Sequence, residues 1–268
     1  MKWKLWARQI EAIAVLELKR FLLARRWIGV YAVAIAPVAP MFVFSRFARF
    51  RFDPIDDLSR DYANLFQLFI LRFAIFISCA VVMSQSFRGD VLEKTLHFYL
   101  LAPVRREIVA IGKYAAGLVL VTTLFTVSTV ATHILIYSAK PEFGAFFFEG
   151  PGLSHLIRYV TTAVLACAAY GAVFLLAGLF FKNPGIPAVF LLAWESFNFA
   201  LPPLLQKFSV VYYLQALLPI TIDRGLFAVV AEPTPPIFGI PILLIAALAL
   251  LAASGWLVRY TQVTYSAD

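Results

Sequence analysis

Residues 65–86 read LFQLFILRFAIFISCAVVMSQS, and residues 88–107 just after them read RGDVLEKTLHFYLLAPVRRE. The first stretch carries a single charge, Arg72. As a helix rising ~1.5 Å per residue it is about as long as the hydrocarbon core of a bilayer is thick, so it reads as a membrane span. The second stretch is too charged to lie in lipid, yet at 96–101 it is too apolar for a plain solvated linker. A short amphipathic helix stopped by Pro103, followed at once by a new helix start, satisfies both halves of that description. Such a knob, held between two apolar runs, is a shape that a soluble partner can grip.

Working outward, five more runs are apolar enough to cross: 27–45, 108–138, 159–181, 184–201 and 237–258. Composition agrees. Of the 268 residues, 62% are hydrophobic and only 14% charged, where a soluble domain carries about 25% charged residues. The mean hydropathy is +0.85. The expected fold is therefore an all-α integral membrane protein of six transmembrane helices. The residues left over are too few and too scattered for a soluble domain, so 1–268 reads as one transmembrane domain.

Placing the N-terminus in the cytoplasm puts 1–26, 87–113, Lys182 and 259–268 inside, with 14 basic and 6 acidic residues. The segments outside, 46–64, 139–158 and 202–236, then hold 8 of each. The net +8 of the chain falls on one side, as the positive-inside tendency requires, so both termini are expected to be cytoplasmic. Basic character of this kind points to topology and the lipid bilayer, and nucleic acid is not an expected partner.

Residues 1–26 do not read as a cleavable signal peptide, because charges recur throughout. Trp3, Trp6, Ile10, Ile13 and Leu16 repeat at helical spacing, with Lys4, Arg8, Glu11 and Lys19 largely opposite. That pattern predicts an interfacial amphipathic helix, serving as a lipid anchor or also touching a partner. In 202–236, 210–218 and 226–231 are apolar but too short to cross. They predict a short helical hairpin of two half-helices at the outer face, before the last span. Asn183-Pro184 is a good helix start, so the turn before the fifth span should be very short.

Enzyme chemistry finds no constellation to use. His97, His133 and His155 are isolated from one another and from any carboxylate or Cys at metal-ligand spacing, so no metal site is expected. Gly112-Lys113 lacks the earlier glycine and the following hydroxyl of a phosphate-binding loop. Cys79 and Cys167 fall within spans and read as small packing residues. The expectation is a protein that is not itself an enzyme.

The insert, taken with this topology, resembles the permease subunits of ABC-2 type transporters. Asp90 and Glu93 stand for that family's acidic stretch, Thr95-Leu96 for its Thr-Leu, and Leu100-Leu101 for the apolar stretch that follows. Pro103, Arg105-Arg106-Glu107 and Gly112-Lys113 complete the motif at matching spacing. Lys94 stands where the family has glycine, and Ala102 where it has a hydroxyl residue that caps the next helix, a loss of ~1 kcal/mol. The resemblance implies the membrane-spanning permease subunit of an ATP-binding cassette exporter in a bacterial or archaeal plasma membrane. Two such subunits would pair, as homo- or heterodimer, and a separate ATPase subunit would dock on the 87–107 coupling loop. ATP and Mg would belong to that partner, with no cofactor in this chain. Residues 89–101 would make the contact, with the N-terminal helix beside them. A non-transporting scaffold or assembly factor that docks some other cytoplasmic protein is the alternative.

Two charges fall inside the expected spans. Arg72 and Glu195 each lie about seven residues from the outer end of their span, roughly 10 Å deep. A lone charge at the centre of a span costs about 2.5–3.5 kcal/mol on insertion, so opposite charges at one level point to pairing. The resemblance implies that spans two and five line the pathway. Arg72, Glu195 and the neighbouring Asn198 are therefore candidate pathway residues, with a fastening ion pair or an outward-snorkelling Arg72 as the other readings. Thr122, Thr126, Thr129 and His133 share one face of span three, either for interhelical hydrogen bonds or for a water path. Ala163, Cys167 and Gly171 repeat a small residue every four positions, which favours close packing.

Overall fold

The structure, a computed structural model, describes residues 2–46, 54–92, 104–138, 140–181, 183–220 and 234–260. Among these the regular structure is entirely helical. Helix α1 (Lys2–Leu23) is followed by a 3-10 turn at Arg25–Trp27, α2 (Ile28–Ile35) and α3 (Val38–Arg46). Next come α4 (Ile55–Asp90) and α5 (Arg106–Ser138), then α6 (Gly152–Phe180) and α7 (Gly185–Ser196). Two short pieces, α8 (Pro203–Gln206) and α9 (Val210–Gln215), precede α10 (Pro236–Tyr260).

Four helices, α4, α5, α6 and α10, are long and apolar enough to cross a membrane. They coincide with four of the six expected spans. The other two fall on interrupted helices. Residues 27–45 divide into α2 and α3 at Ala36-Pro37, because proline has no N–H for the ladder and its ring crowds the preceding turn. Residues 184–201 give only the 12 residues of α7 before a short 3-10 turn at Asn198–Ala200. Helix α4 begins ten residues earlier than the apolar run, at Ile55, where Asp56 and Asp57 favour the positive end of the helix dipole. It carries an 11-residue π-helical stretch, Leu65–Ile75, that widens the turn around Gln67 and Arg72.

Helix α5 is central, packed by α1, α3, α4, α6 and α10. Close packing depends on small residues. A Cβ on Gly178 of α6 would lie 2.7 Å from the Ser84 Cα of α4, and one on Gly117 of α5 would lie 2.7 Å from the Met83 sulfur. Gly171 likewise meets Met83, and Ala163 and Cys167 are buried beside it in sequence, so the small-residue repeat of α6 faces neighbouring helices. Both cysteines are free and buried.

Away from α1, the far half of the bundle is sealed by aromatic rings. The Tyr62 hydroxyl donates to the Thr129 carbonyl at 3.1 Å, and the Tyr62 ring meets His133 and Tyr159 edge-on, each at 4.9 Å. His133 Nε2–H donates to the Gly152 carbonyl at 3.3 Å. Of the polar stripe, His133 bonds across to the start of α6, whereas the buried hydroxyls of Thr122 and Thr129 make no hydrogen bond among the described residues and Thr129 reaches Tyr62 only through its carbonyl.

Candidate functional site

Helix α1 does not lie apart from the bundle. Its Ile10 and Ile13 fit against Gly112 of α5, where an added Cβ would come within 2.9 Å of Ile13 side-chain atoms and 3.3 Å of the Ile10 carbonyl. Leu16, expected on the same face, is 55% exposed, and the inward position belongs to Glu17, which is 1% exposed. Glu17 follows Ile10 and Ile13 at i+7 and i+4, so it continues their stripe.

A carboxylate on that stripe needs a cation, and Lys113, one residue past Gly112, supplies it. The Lys113 ammonium donates to Glu17, to Asp90 at 2.5 Å and to the Ser86 carbonyl at 2.9 Å, and it lies 5.5 Å from the Phe87 ring centroid. Arg20 of α1 donates to the other oxygen of Asp90 and lies 3.7 Å from Glu17. Lys113 and Asp90 have no solvent exposure. Among the described residues, two cations and two anions thus meet in a largely buried knot joining α1, the end of α4 and the start of α5. Removing one member of such a knot strands charge in a low-dielectric site, a loss of about 3–5 kcal/mol.

The residues that follow the 93–103 segment are tied as well. Arg106 donates to the Arg259 carbonyl at 2.8 Å. The Arg259 guanidinium in turn donates to Glu107, and Arg105 lies 3.7 Å from the same carboxylate. The Arg105 guanidinium also stacks 5.3 Å from the centre of the Trp6 ring. Of the residues expected to couple to a partner, Asp90, Arg105, Arg106 and Glu107 thus all fall on the two stems, and Asp90 is sealed inside. Glu93, Thr95, Leu96, Leu100, Leu101 and Pro103 lie outside the described residues.

Arg72, Glu195 and Asn198 form a separate region. Glu195 is 4% exposed and accepts from Ser209 Oγ at 2.5 Å and from the amides of Val210 and Val211 at 2.9 and 3.2 Å. Those amides are the free N–H groups at the start of α9, so the carboxylate caps a helix from across the irregular stretch between α7 and α9. The Arg72 charge acts on the same carboxylate. Asn198 donates to the Gln206 carbonyl at 3.3 Å, and Gln206 donates to the Leu201 carbonyl at 2.8 Å. These bonds satisfy the irregular backbone between α7 and α9, which membrane depth tolerates only when buried or lining a cavity. A cleft of about 280 Å³ beside Glu195 is lined by Phe76, Tyr170, Trp194 and Phe208 among others. Phe76 and Tyr170 sit near the middle of α4 and α6, so this break is level with the middle of those helices. Of the half-helix expected at the outer face over 210–218, only Val210–Gln215 is helical, as α9 against α6 and α10, and it starts level with the middle of α4 and α6 instead of at their ends; the second, 226–231, lies outside the described residues.

Among the described residues no group of three His, Cys, Asp or Glu side chains is placed to hold a metal. The chain matches no model of a known protein family, and no curated protein matches it.

Proposed function

We propose that this chain is the membrane-spanning permease subunit of an ATP-binding cassette exporter of the ABC-2 type. Residues 89–101 serve as the handle for a separate ATPase subunit. The observation that carries this reading is that both stems of the 93–103 segment are fastened to the helices a partner would have to move. Upstream, Asp90 is held by Arg20 of α1 and Lys113 of α5. Downstream, Arg106 and Glu107 are held by the end of α10, and Arg105 rests on Trp6 of α1. A push on the segment therefore reaches α1, α4, α5 and α10 at once. The motif built on Asp90, Thr95-Leu96, Pro103 and Gly112-Lys113 points the same way.

In this reading α4, α5, α6 and α10 make four crossings, and the broken α2–α3 and α7–α9 make two discontinuous ones, six in all. Both termini and the 93–103 segment face the cytoplasm of a bacterium or archaeon. A second permease subunit completes the path, and ATP is hydrolysed by the partner with Mg. Motion follows from the partner's unequal affinity for two arrangements of the helices.

The test is a single cysteine at Thr95 in a chain whose Cys79 and Cys167 are replaced by alanine. In intact cells the reading expects labelling by a permeant maleimide, none by an impermeant one, and crosslinking to a co-expressed ATPase subunit. Labelling from outside the cell rejects it.

A further inference from the structure

We infer that the cleft between α1 and the adjoining ends of α5 and α10 is a binding site for an anionic phospholipid. The cleft has a volume of about 360 Å³, in the range of a small-ligand site. Its floor is apolar, made by Ala7, Ile10, Ile108 and Ile111. Its rim carries two guanidinium groups, Arg105 and Arg259, whose side chains are 57% and 50% exposed. Glu107 sits between them and neutralises one, so the mouth keeps a net positive charge. Lys4, Arg8 and Glu11, all exposed, add one more net positive charge to α1 itself.

The level of the cleft identifies the occupant. Trp3 and Trp6 line it, and the Trp256 and Tyr260 rings meet at a tilt, 5.0 Å between centres, on the adjoining end of α10. Trp3, Trp256 and Tyr260 are 78%, 59% and 65% exposed. Exposed Trp and Tyr gathered at one end of apolar helices mark the boundary between lipid and water. An acyl chain fits the apolar floor from the membrane side while the phosphate reaches the arginines at the rim. A free phosphate would leave the floor uncovered, and a zwitterionic lipid would waste the net charge. This inference needs only the membrane character of the chain and is independent of any ATPase.

The experiment uses the purified full chain in phosphatidylcholine vesicles doped with lipids brominated on their acyl chains. Brominated lipid quenches tryptophan on contact, and the Trp6 signal is the difference between the wild type and Trp6→Phe. Brominated phosphatidylglycerol should quench Trp6 with an apparent affinity about five-fold or more above that of brominated phosphatidylcholine. Arg105→Gln, which leaves the Glu107–Arg259 pair in place, should reduce that preference, and adding Arg259→Gln should bring it close to one. Equal quenching of the wild type by both lipids overturns the inference, as does a preference that survives in the double variant. Loss of the preference in millimolar inorganic phosphate, with both lipids then quenching equally, assigns the rim to a free anion and also overturns it. Quenching by neither lipid in the vesicles would mean that the cleft is closed to acyl chains, which overturns it as well.

Discussion

Lys113 and Asp90, 23 positions apart in sequence, meet at 2.5 Å with neither side chain reaching solvent. Glu17 and Arg20 complete the group from α1, so an amphipathic helix that could have floated on the membrane is pinned to the bundle by buried charge.

Lys113→Met should therefore be among the most damaging single changes in the chain, at about 3–5 kcal/mol, because it strips two buried carboxylates of a shared cation. Lys113→Met combined with Asp90→Leu should cost less than Lys113→Met alone, since Glu17 keeps Arg20 at 3.7 Å. Thermal unfolding read by a thiol-reactive dye serves for both, because Cys79 and Cys167 are buried until the fold opens.

Gly178→Ala and Gly117→Ala should differ although each new Cβ lands 2.7 Å from an obstacle. At Gly178 the obstacle is the Ser84 backbone, which cannot move aside, and the loss should be about 1–3 kcal/mol. At Gly117 it is the sulfur of Met83, whose flexible side chain can shift, and the loss should be under about 1 kcal/mol. The same dye assay ranks them, and an inverted order contradicts the packing described.

Glu195→Leu should destabilise the protein by about 2–4 kcal/mol, because Ser209 and the amides of Val210 and Val211 all lose their acceptor. Ser209→Ala should cost about 1 kcal/mol, as the two amides remain satisfied. Arg72→Leu with Glu195→Leu should lose less than the sum of the single changes, since the two charges act on one another. In an export assay, full recovery of transport by that double variant would assign the pair to fastening and remove it from direct contact with cargo.

The long spans were legible because α4, α5, α6 and α10 each contain an apolar run long enough to cross, and hydropathy reads length directly. The breaks were harder. Pro37 and Pro40 stand in the first run, yet prolines are common enough in membrane helices that they do not by themselves decide between a kink and a break. The fifth run reads as continuous through Ser196 and Asn198, but Glu195 turns back to cap α9, a contact set by tertiary folding. Lys113 was legible as part of a motif and not as the centre of an ion knot, because its partner Glu17 lies 96 positions away. A signal for Glu17 was present all the same, as a carboxylate continuing the Ile10–Ile13 stripe.

The most direct measurement is ATP hydrolysis by the co-purified complex of this chain with the proposed ATPase subunit, in the wild type and in a variant with 93–101 replaced by a Gly-Ser linker of equal length. The account predicts that the wild-type chain stimulates hydrolysis above the isolated ATPase and that the variant, though folded and inserted, does not. Undiminished stimulation by the linker variant would contradict it.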